Sequence, residues 1–184
     1  YLGKGQIVDA SIDASESSLR GSLSVTNPNY NFSGNLLSYG VSSLKTDRPN
    51  SGYENTTTQF NIGTRFEQYD DIYLSPNLEL SFDDMTVNST ASDRLKKQAG
   101  SFNELSFGYG IEKDTRDRRF MPTSGSIFGF SQKLPVYVED NTSVFNRFNL
   151  SKYHSFNENI LGAFKFYAAA IVALEDDVRL SKRI

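Results

Sequence analysis

Paired carboxylates such as Asp70 with Asp71, Asp83 with Asp84 and Asp176 with Asp177 are the residues best suited by type to general acid–base work. A two-carboxylate mechanism aims both groups at one substrate across roughly 5 to 10 Å. Neighbours on a strand point to opposite faces, so each pair reads as solvated turn or strand-end charge. The single His154, in Tyr-His-Ser-Phe-Asn, reads as a surface residue of a short turn rather than a general base. The 184 residues contain no Cys, which removes a thiolate nucleophile, a disulfide framework and a Cys-ligated metal, and one His cannot build a His-rich zinc site. No Ser-His-Asp order and no phosphate-cradling glycine loop appears. The expectation is a protein that is not an enzyme, with no catalytic residue, no metal and no cofactor.

Partners are bounded by charge. Lys+Arg number 19 against 22 Asp+Glu, a formal charge of -3, so there is no basic footprint and no nucleic-acid partner is expected. With 14 Phe and 10 Tyr the chain carries too many apolar rings for a disordered acidic segment.

What would position these residues is a set of strands. In Ile72 to Asp83, Ile72, Leu74, Leu78, Leu80 and Phe82 share one face, and Tyr73, Ser75, Asn77, Glu79, Ser81 and Asp83 share the other. A helix would smear that apolar set around its circumference. The pattern recurs in Gln6–Ser15, Ser18–Thr26, Asn55–Phe66 and Asn103–Lys113, and with blurred faces in Asn35–Thr46, Ser126–Tyr137, Ser143–Ser155 and Ile160–Leu174. Nine strands of roughly ten to fourteen residues follow, against a usual five or six. A strand tilted near 45° needs about nine to eleven residues to cross a hydrocarbon core. No stretch makes a transmembrane helix, since the best, Ile160 to Leu174, holds Lys165 in its middle. A barrel escapes hydropathy averages, so a mean hydropathy of -0.46 leaves a membrane open.

The connections alternate as well. Asn27–Gly34, Glu67–Asp71 and His154–Asn159 are compact, whereas Asp47–Asn55, Val87–Phe102 and Val138–Thr142 form the interleaved, longer set; Asp13–Ser17 is tight on the long-loop side. Short turns at one end and long loops at the other describe an outer-membrane barrel with its short ends in the periplasm. Tyr30, Phe32, Tyr53, Tyr69, Tyr73, Phe102, Phe120, Tyr137, Tyr153 and Phe156 crowd strand ends, which suits aromatic girdles better than the general preference of rings for strand ends and sheet faces. Arg20, Arg65, Glu79, Asp83, Glu104, Glu112, Lys133 and Lys165 lie mid-strand or nearly so and must face water or each other. A wet lumen provides that, and so does the solvent side of a soluble sandwich. Strand length, strand number and loop alternation favour the barrel. Arg20, Arg65, Glu79, Glu104, Gly108 and Gly110 are then expected to face the lumen, with the two glycines leaving room for another segment to approach the wall.

One segment is more specific. From Phe107 to Gly125 a Gly-punctuated strand enters the turn Asp-Thr-Arg-Asp-Arg-Arg-Phe-Met and leaves through Pro-Thr-Ser-Gly. Asp114 and Asp117 can accept from backbone N–H groups, Arg116, Arg118 and Arg119 can pair with them, Pro122 fixes φ, and Gly125 permits a backbone that a Cβ would strain. By this chemistry alone the segment is a salt-bridged hairpin. The run resembles the signature hairpin in the barrel of the BamA-type outer-membrane assembly insertases, the bacterial surface antigen family, carried here by Asp114, Arg116, Asp117, Arg118, Phe120, Pro122, Thr123 and Gly125. Tyr1-Leu-Gly-Lys-Gly is similar to a turn near the start of that barrel, and Leu23-Ser-Val-Thr-Asn-Pro-Asn-Tyr30 to the strand end and turn that follow.

The resemblance implies an all-β fold, an antiparallel transmembrane β-barrel of which residues 1–184 are one internal part truncated at both ends. The strands would be about nine of sixteen, the third through eleventh. Tyr1-Leu-Gly-Lys-Gly-Gln has neither the basic start nor the apolar core of a signal peptide, and Asp176 to Ile184 would lead into a long inward-folded loop. Implied too are an outer-membrane location, an activity of folding and inserting other outer-membrane proteins, and as partners outer-membrane lipids, unfolded outer-membrane clients and accessory assembly lipoproteins. A passive porin, a two-partner secretion transporter and a soluble β-sandwich adhesion module are the competing readings.

Overall fold

The alternating segments pair into a single antiparallel sheet. The computed structural model describes residues 5–139, 142–157 and 160–174. Its strands are β1 (Ile7–Ser15), β2 (Ser18–Tyr30), β3 (Asn35–Arg48), β4 (Tyr53–Tyr69), β5 (Ile72–Leu74), β6 (Asn77–Val87), β7 (Gly100–Asp114), β8 (Gly125–Val138), β9 (Ser143–Asn157) and β10 (Ile160–Ala173), with a 3₁₀ turn at Pro49–Ser51 and one helical turn, α1, at Asp93–Lys96. Each strand hydrogen-bonds to its sequence neighbours, except that β5 and β6 lie end to end and both pair with β4 and β7. A meander with short connections needs no crossover.

The segments β5 and β6 are one strand interrupted by a proline. Phe66 opposes Leu74 and Gly63 opposes Asn77 in an unchanged register, as do Leu74 with Ile111 and Asn77 with Gly108 on the other side. Between them Ser75 exchanges backbone bonds of 2.9 and 3.0 Å with Gly110, and Thr64 N–H donates to Pro76 O at 3.0 Å. Pro76 has no N–H to contribute, which opens the ladder without moving the register. The sheet therefore has nine strand positions. Pro28 and Pro135, in β2 and β8, do fall at local register shifts, between Asn27 and Tyr30 and beside Ser106.

Several boundaries differ from the sequence reading. Strand β9 continues through His154, which opposes Gly162 and sets its ring edge-on to Phe156 at 4.9 Å, so His154 belongs to a strand and not to a turn. The turn at 31–34 is shorter than expected because β2 runs on past Pro28. Loop lengths also fail to sort fully by end. The connections at 16–17, 49–52, 88–99 and 139–142 share one end of the sheet, and those at 31–34, 70–71 and 115–124 share the other, so the charged hairpin is the long member of the compact set. Tyr1–Lys4, Asp140, Asn141, Glu158, Asn159 and residues 175–184, on which parts of the expected start, of the Val138–Thr142 and His154–Asn159 connections and of the end of the chain fall, lie outside the described residues.

Among the described residues no second layer covers either face. Among the described residues the buried apolar side chains are Met85 and Ala91, while Phe60, Ile62, Leu78, Phe107 and Phe164 are 37 to 59% exposed. The register sorts every strand onto two faces. Val8, Ala10, Leu23, Val41, Phe60, Leu80 and Leu105 fall on one, and their strand neighbours Asp9, Ser22, Ser42, Gln59, Glu79 and Glu104 on the other. A soluble sandwich would seal the first set between two sheets; here it is laid open.

The apolar set also shows how the strands tilt. In β2 it centres near Leu23, whose cross-strand row reaches β7 at Leu105. In β9 it centres near Phe148, whose row passes through Phe130 to Ile111. Those rows cross β7 six residues apart (111 − 105) over six strand-to-strand steps from β2 to β9. A band that keeps one height while the register climbs about one residue per strand requires strands inclined by roughly 35°, given a rise near 3.3 Å and a spacing near 4.8 Å. That is the inclination of a barrel wall.

Candidate functional site

On the polar face the mid-strand charges reach over intervening strands. Lys133 Nζ on β8 donates to Glu79 Oε1 on β6 at 2.7 Å, and Gln59 Nε2 on β4 donates to the same carboxylate oxygen at 3.4 Å. Between them runs β7, where Ser106 is completely buried under the bridge. Next to it stands Gly108, and a Cβ there would run into the Asn77 side chain. The space expected above Gly108 is thus already filled by its cross-strand neighbour, whereas Gly110 keeps its space open. Glu104 is buried opposite Ser81 and Val138, and Arg20 opposes Asp13 and Leu44 nearer the other end of the face. Asp83 accepts from Thr57 Oγ1 at 2.7 Å and Asn55 Nδ2 at 3.0 Å, while Asp84 turns to the opposite face and accepts from Ser101 at 3.1 Å.

A second bridge ties the wall to the charged hairpin. Arg65 on β4 pairs with Glu112 on β7 at 2.6 Å, and its guanidinium lies 4.6 Å over the Tyr73 ring on β5 between them. The Tyr73 hydroxyl accepts from Arg119 Nη2 at 3.4 Å. Arg119 thereby ties the hairpin to the wall. Arg116 grips Asp114 through both Nε (2.8 Å) and Nη2 (2.7 Å), a two-point pairing of the guanidinium with one carboxylate. That hydrogen bond raises the Arg116 pKa above its ordinary value.

The turn beyond is built around Asp117. Its carboxylate accepts from Thr123 N–H (2.9 Å), Thr123 Oγ1 (2.6 Å) and Ser124 N–H (3.2 Å), while Arg118 stays 3.8 Å away. The Thr123 hydroxyl first, then the Ser124 N–H, holds the Asp117 pKa down to about 2. Gly125, at φ +89°, closes the hairpin where a Cβ would meet the Thr115 and Arg116 backbone. Pro122 follows Met121, a non-glycine residue at φ +48°, and Phe120 and Met121 project from the tip, 81 and 68% exposed. Asp114, Arg116, Asp117, Thr123 and Gly125 are thus consumed in holding the hairpin's own shape. Among the described residues no three or more His, Asp or Glu side chains gather as a metal site.

The apolar face carries one feature that alternation alone does not disclose. Tyr109, Gln132 and Asn146 stand directly opposite one another on β7, β8 and β9. The Tyr109 hydroxyl donates to Gln132 Oε1 at 2.9 Å, and Gln132 Nε2 donates to Asn146 Oδ1 at 2.6 Å. Around them Phe130 sits edge-on to Tyr109, and Phe128, Phe148 and Phe166 stack edge-to-face at 5.2 and 5.8 Å. Polar groups in an apolar band must satisfy one another, and these do so as a row. The only sequence signal was the blurring of apolar faces in β8 and β9.

One tilted sheet, oily and uncovered on one face, charged and cross-braced on the other, defines the wall of a transmembrane β-barrel of the outer-membrane kind. Residues 1–183 match the family described as the Omp85 superfamily domain, and the chain belongs to the Omp85 superfamily. Its fold is that of the barrel in the crystal structure of BamA from Haemophilus ducreyi lacking POTRA domains 1–3, with a TM-score of 0.75 at 19% identity over 94% of this chain. The chain spans 36% of the length of that structure's chain. No curated protein matches the sequence.

Proposed function

We propose that this chain is part of the wall of an outer-membrane insertase, which folds and inserts other outer-membrane proteins without covalent chemistry. The observation that carries this reading is the pairing of Glu79 with Lys133 and of Arg65 with Glu112 across intervening strands. A passive pore selects solutes with charges left free to meet them. Here four mid-wall charges are spent on one another and stiffen the wall. A stiff wall suits a protein whose work is done at a strand edge, where unpaired N–H and C=O groups template an incoming strand and a locally thinned bilayer eases its entry. In this reading the apolar face meets outer-membrane lipid, the polar face lines the lumen, and the wider partners are unfolded clients and accessory assembly lipoproteins.

The test is reconstitution of the full-length protein into liposomes with an unfolded barrel client. Faster appearance of the client's heat-modifiable folded band than in empty liposomes, without leakage of a small entrapped solute, is the expected result. Solute leakage with no gain in client folding would replace the insertase with a passive pore.

A further inference from the structure

The polar face holds a trough that the paired charges leave open. Ser75, Gly110, Ser131, Arg147 and Ala169 form one cross-strand row, linked in turn by backbone bonds between Ser75 and Gly110 and by the pairs Gly110–Ser131, Ser131–Arg147 and Arg147–Ala169. Four of the five are small, so the floor is low. The rows on either side are taller, with Asn77 and Lys133 along one and Glu112, Asn149 and Tyr167 along the other. A Cβ on Gly110 would find nothing nearer than 3.6 Å. The row crosses four strand gaps, about 19 Å, which an extended chain of roughly six residues spans.

Arg147 stands in this trough with its guanidinium 5.2 Å from the Phe145 ring centre and 5.9 Å from that of Tyr167. Both rings lie within cation–π reach, a contact made through the ring faces that does not use up the guanidinium N–H groups. No carboxylate among the described residues lies against it. Strands β8, β9 and β10 carry Lys133, Arg147, Lys152 and Lys165 and not one Asp or Glu. Lys133 is neutralised from β6, so among the described residues the charge left without an ion-pair partner on this part of the polar face belongs to Arg147 and Lys165, with the Asn149–Tyr167 row between them. A cation set against two rings over a narrow, low floor fits an extended chain bearing an acid better than a lone ion, because a lone ion would leave the length of the floor unused.

We propose that this trough seats an extended polypeptide segment through a carboxylate side chain, with Arg147 as the anchor; this rests on reading the polar face as the lumen side. The probe is a fluorescent six-residue peptide with one central Glu, compared by anisotropy with its Gln counterpart on the full-length protein. The Glu peptide is expected to bind at least about tenfold more tightly, the worth of one charge-assisted hydrogen-bond pair. Arg147→Gln should erase that preference, Arg147→Lys should retain part of it, and Gly110→Val should weaken both peptides by raising the floor. Equal affinity for the two peptides, or an unchanged preference in a folded Arg147→Gln protein, would overturn the proposal. Competition by free acetate at the peptide's own concentration would also overturn it, since a small anion would then suffice. Labelling of Ser131→Cys in liposomes by a membrane-impermeant maleimide separates the two failures. Labelling without peptide binding sinks the trough alone, and absence of labelling sinks the lumen assignment beneath it.

Discussion

Lys133 and Glu79 meet at 2.7 Å although β7 runs between their strands. They can do so only because the residues beneath are Ser106 and Gly108, and because Asn77 fills the space that Gly108 leaves. The bridge therefore depends on a residue with no side chain. Gly108→Ala should destabilise the folded barrel by about 1–3 kcal/mol, because Asn77 must be displaced. The same substitution in an Asn77→Ala background should cost less than half as much. Denaturant unfolding of the full-length protein in detergent, followed by heat-modifiability, measures both; equal losses in the two backgrounds would remove Asn77 from the explanation.

The two faces should differ sharply in their tolerance of charge. Leu78 lies at the middle of the exposed apolar stretch of β5 and β6, and Ser81 lies three residues on, facing the opposite way beside Gln59 and Glu104. Leu78→Arg should cost about 2–4 kcal/mol if the apolar face meets the bilayer midplane. Ser81→Arg, placed on the polar face near carboxylates, should change stability by no more than about 1 kcal/mol. Folding titrations in lipid vesicles give both values, and similar penalties would refute the face assignment.

Much of this architecture is legible in the sequence, for a physical reason. A wall one sheet thick and exposed on both sides must write its two environments residue by residue, and the alternation from Ile72 to Phe82 does so even across Pro76. The charged hairpin is legible because Asp114, Arg116, Asp117 and Thr123 bond within ten residues of one another. Pairings between distant strands are not. Glu79 and Lys133 are 54 residues apart, and only the register brings them together. Gly108 shows the sequence a missing side chain but not that Asn77 will occupy the gap. Tyr73 shows an aromatic strand end but not its position between Arg65 and Arg119. Gln132 and Asn146 interrupt the apolar pattern of β8 and β9, and what looks like a weakened face is a hydrogen-bonded row.

That row should behave as a unit. Replacing Gln132 by Leu strands the Tyr109 hydroxyl and the Asn146 side-chain carbonyl in an apolar band, since each loses its hydrogen bond to Gln132. The single change should cost about 1 kcal/mol. Replacing all three at once, Tyr109→Phe, Gln132→Leu and Asn146→Leu, removes the polar groups together with their need for partners and should be neutral or stabilising. A triple variant less stable than the single one in vesicle unfolding would show that the row contributes something besides mutual satisfaction.

The hairpin should lose its shape in acid over a window set by Asp117. Its carboxyl is held at a pKa of about 2, below the ordinary 3.8, by the Thr123 hydroxyl and the Ser124 N–H. A carboxylate whose folded pKa is depressed contributes its full stabilisation above the unfolded value and loses it as pH falls through the folded one. The contribution is therefore complete above about pH 4 and disappears on the way down to pH 2. Amide exchange at Thr123 and Ser124, whose N–H groups Asp117 accepts, should accelerate relative to the strand amides of β7 and β8 across that interval. In Asp117→Asn, the side-chain oxygen can still accept but no longer titrates, so protection at those two amides should be lower at neutral pH and flat between pH 4 and 2. A wild-type profile equally flat there would mean that the turn is held by Pro122, Gly125 and the backbone bond from Asp117 N–H to Ser124 O, and not by the carboxylate.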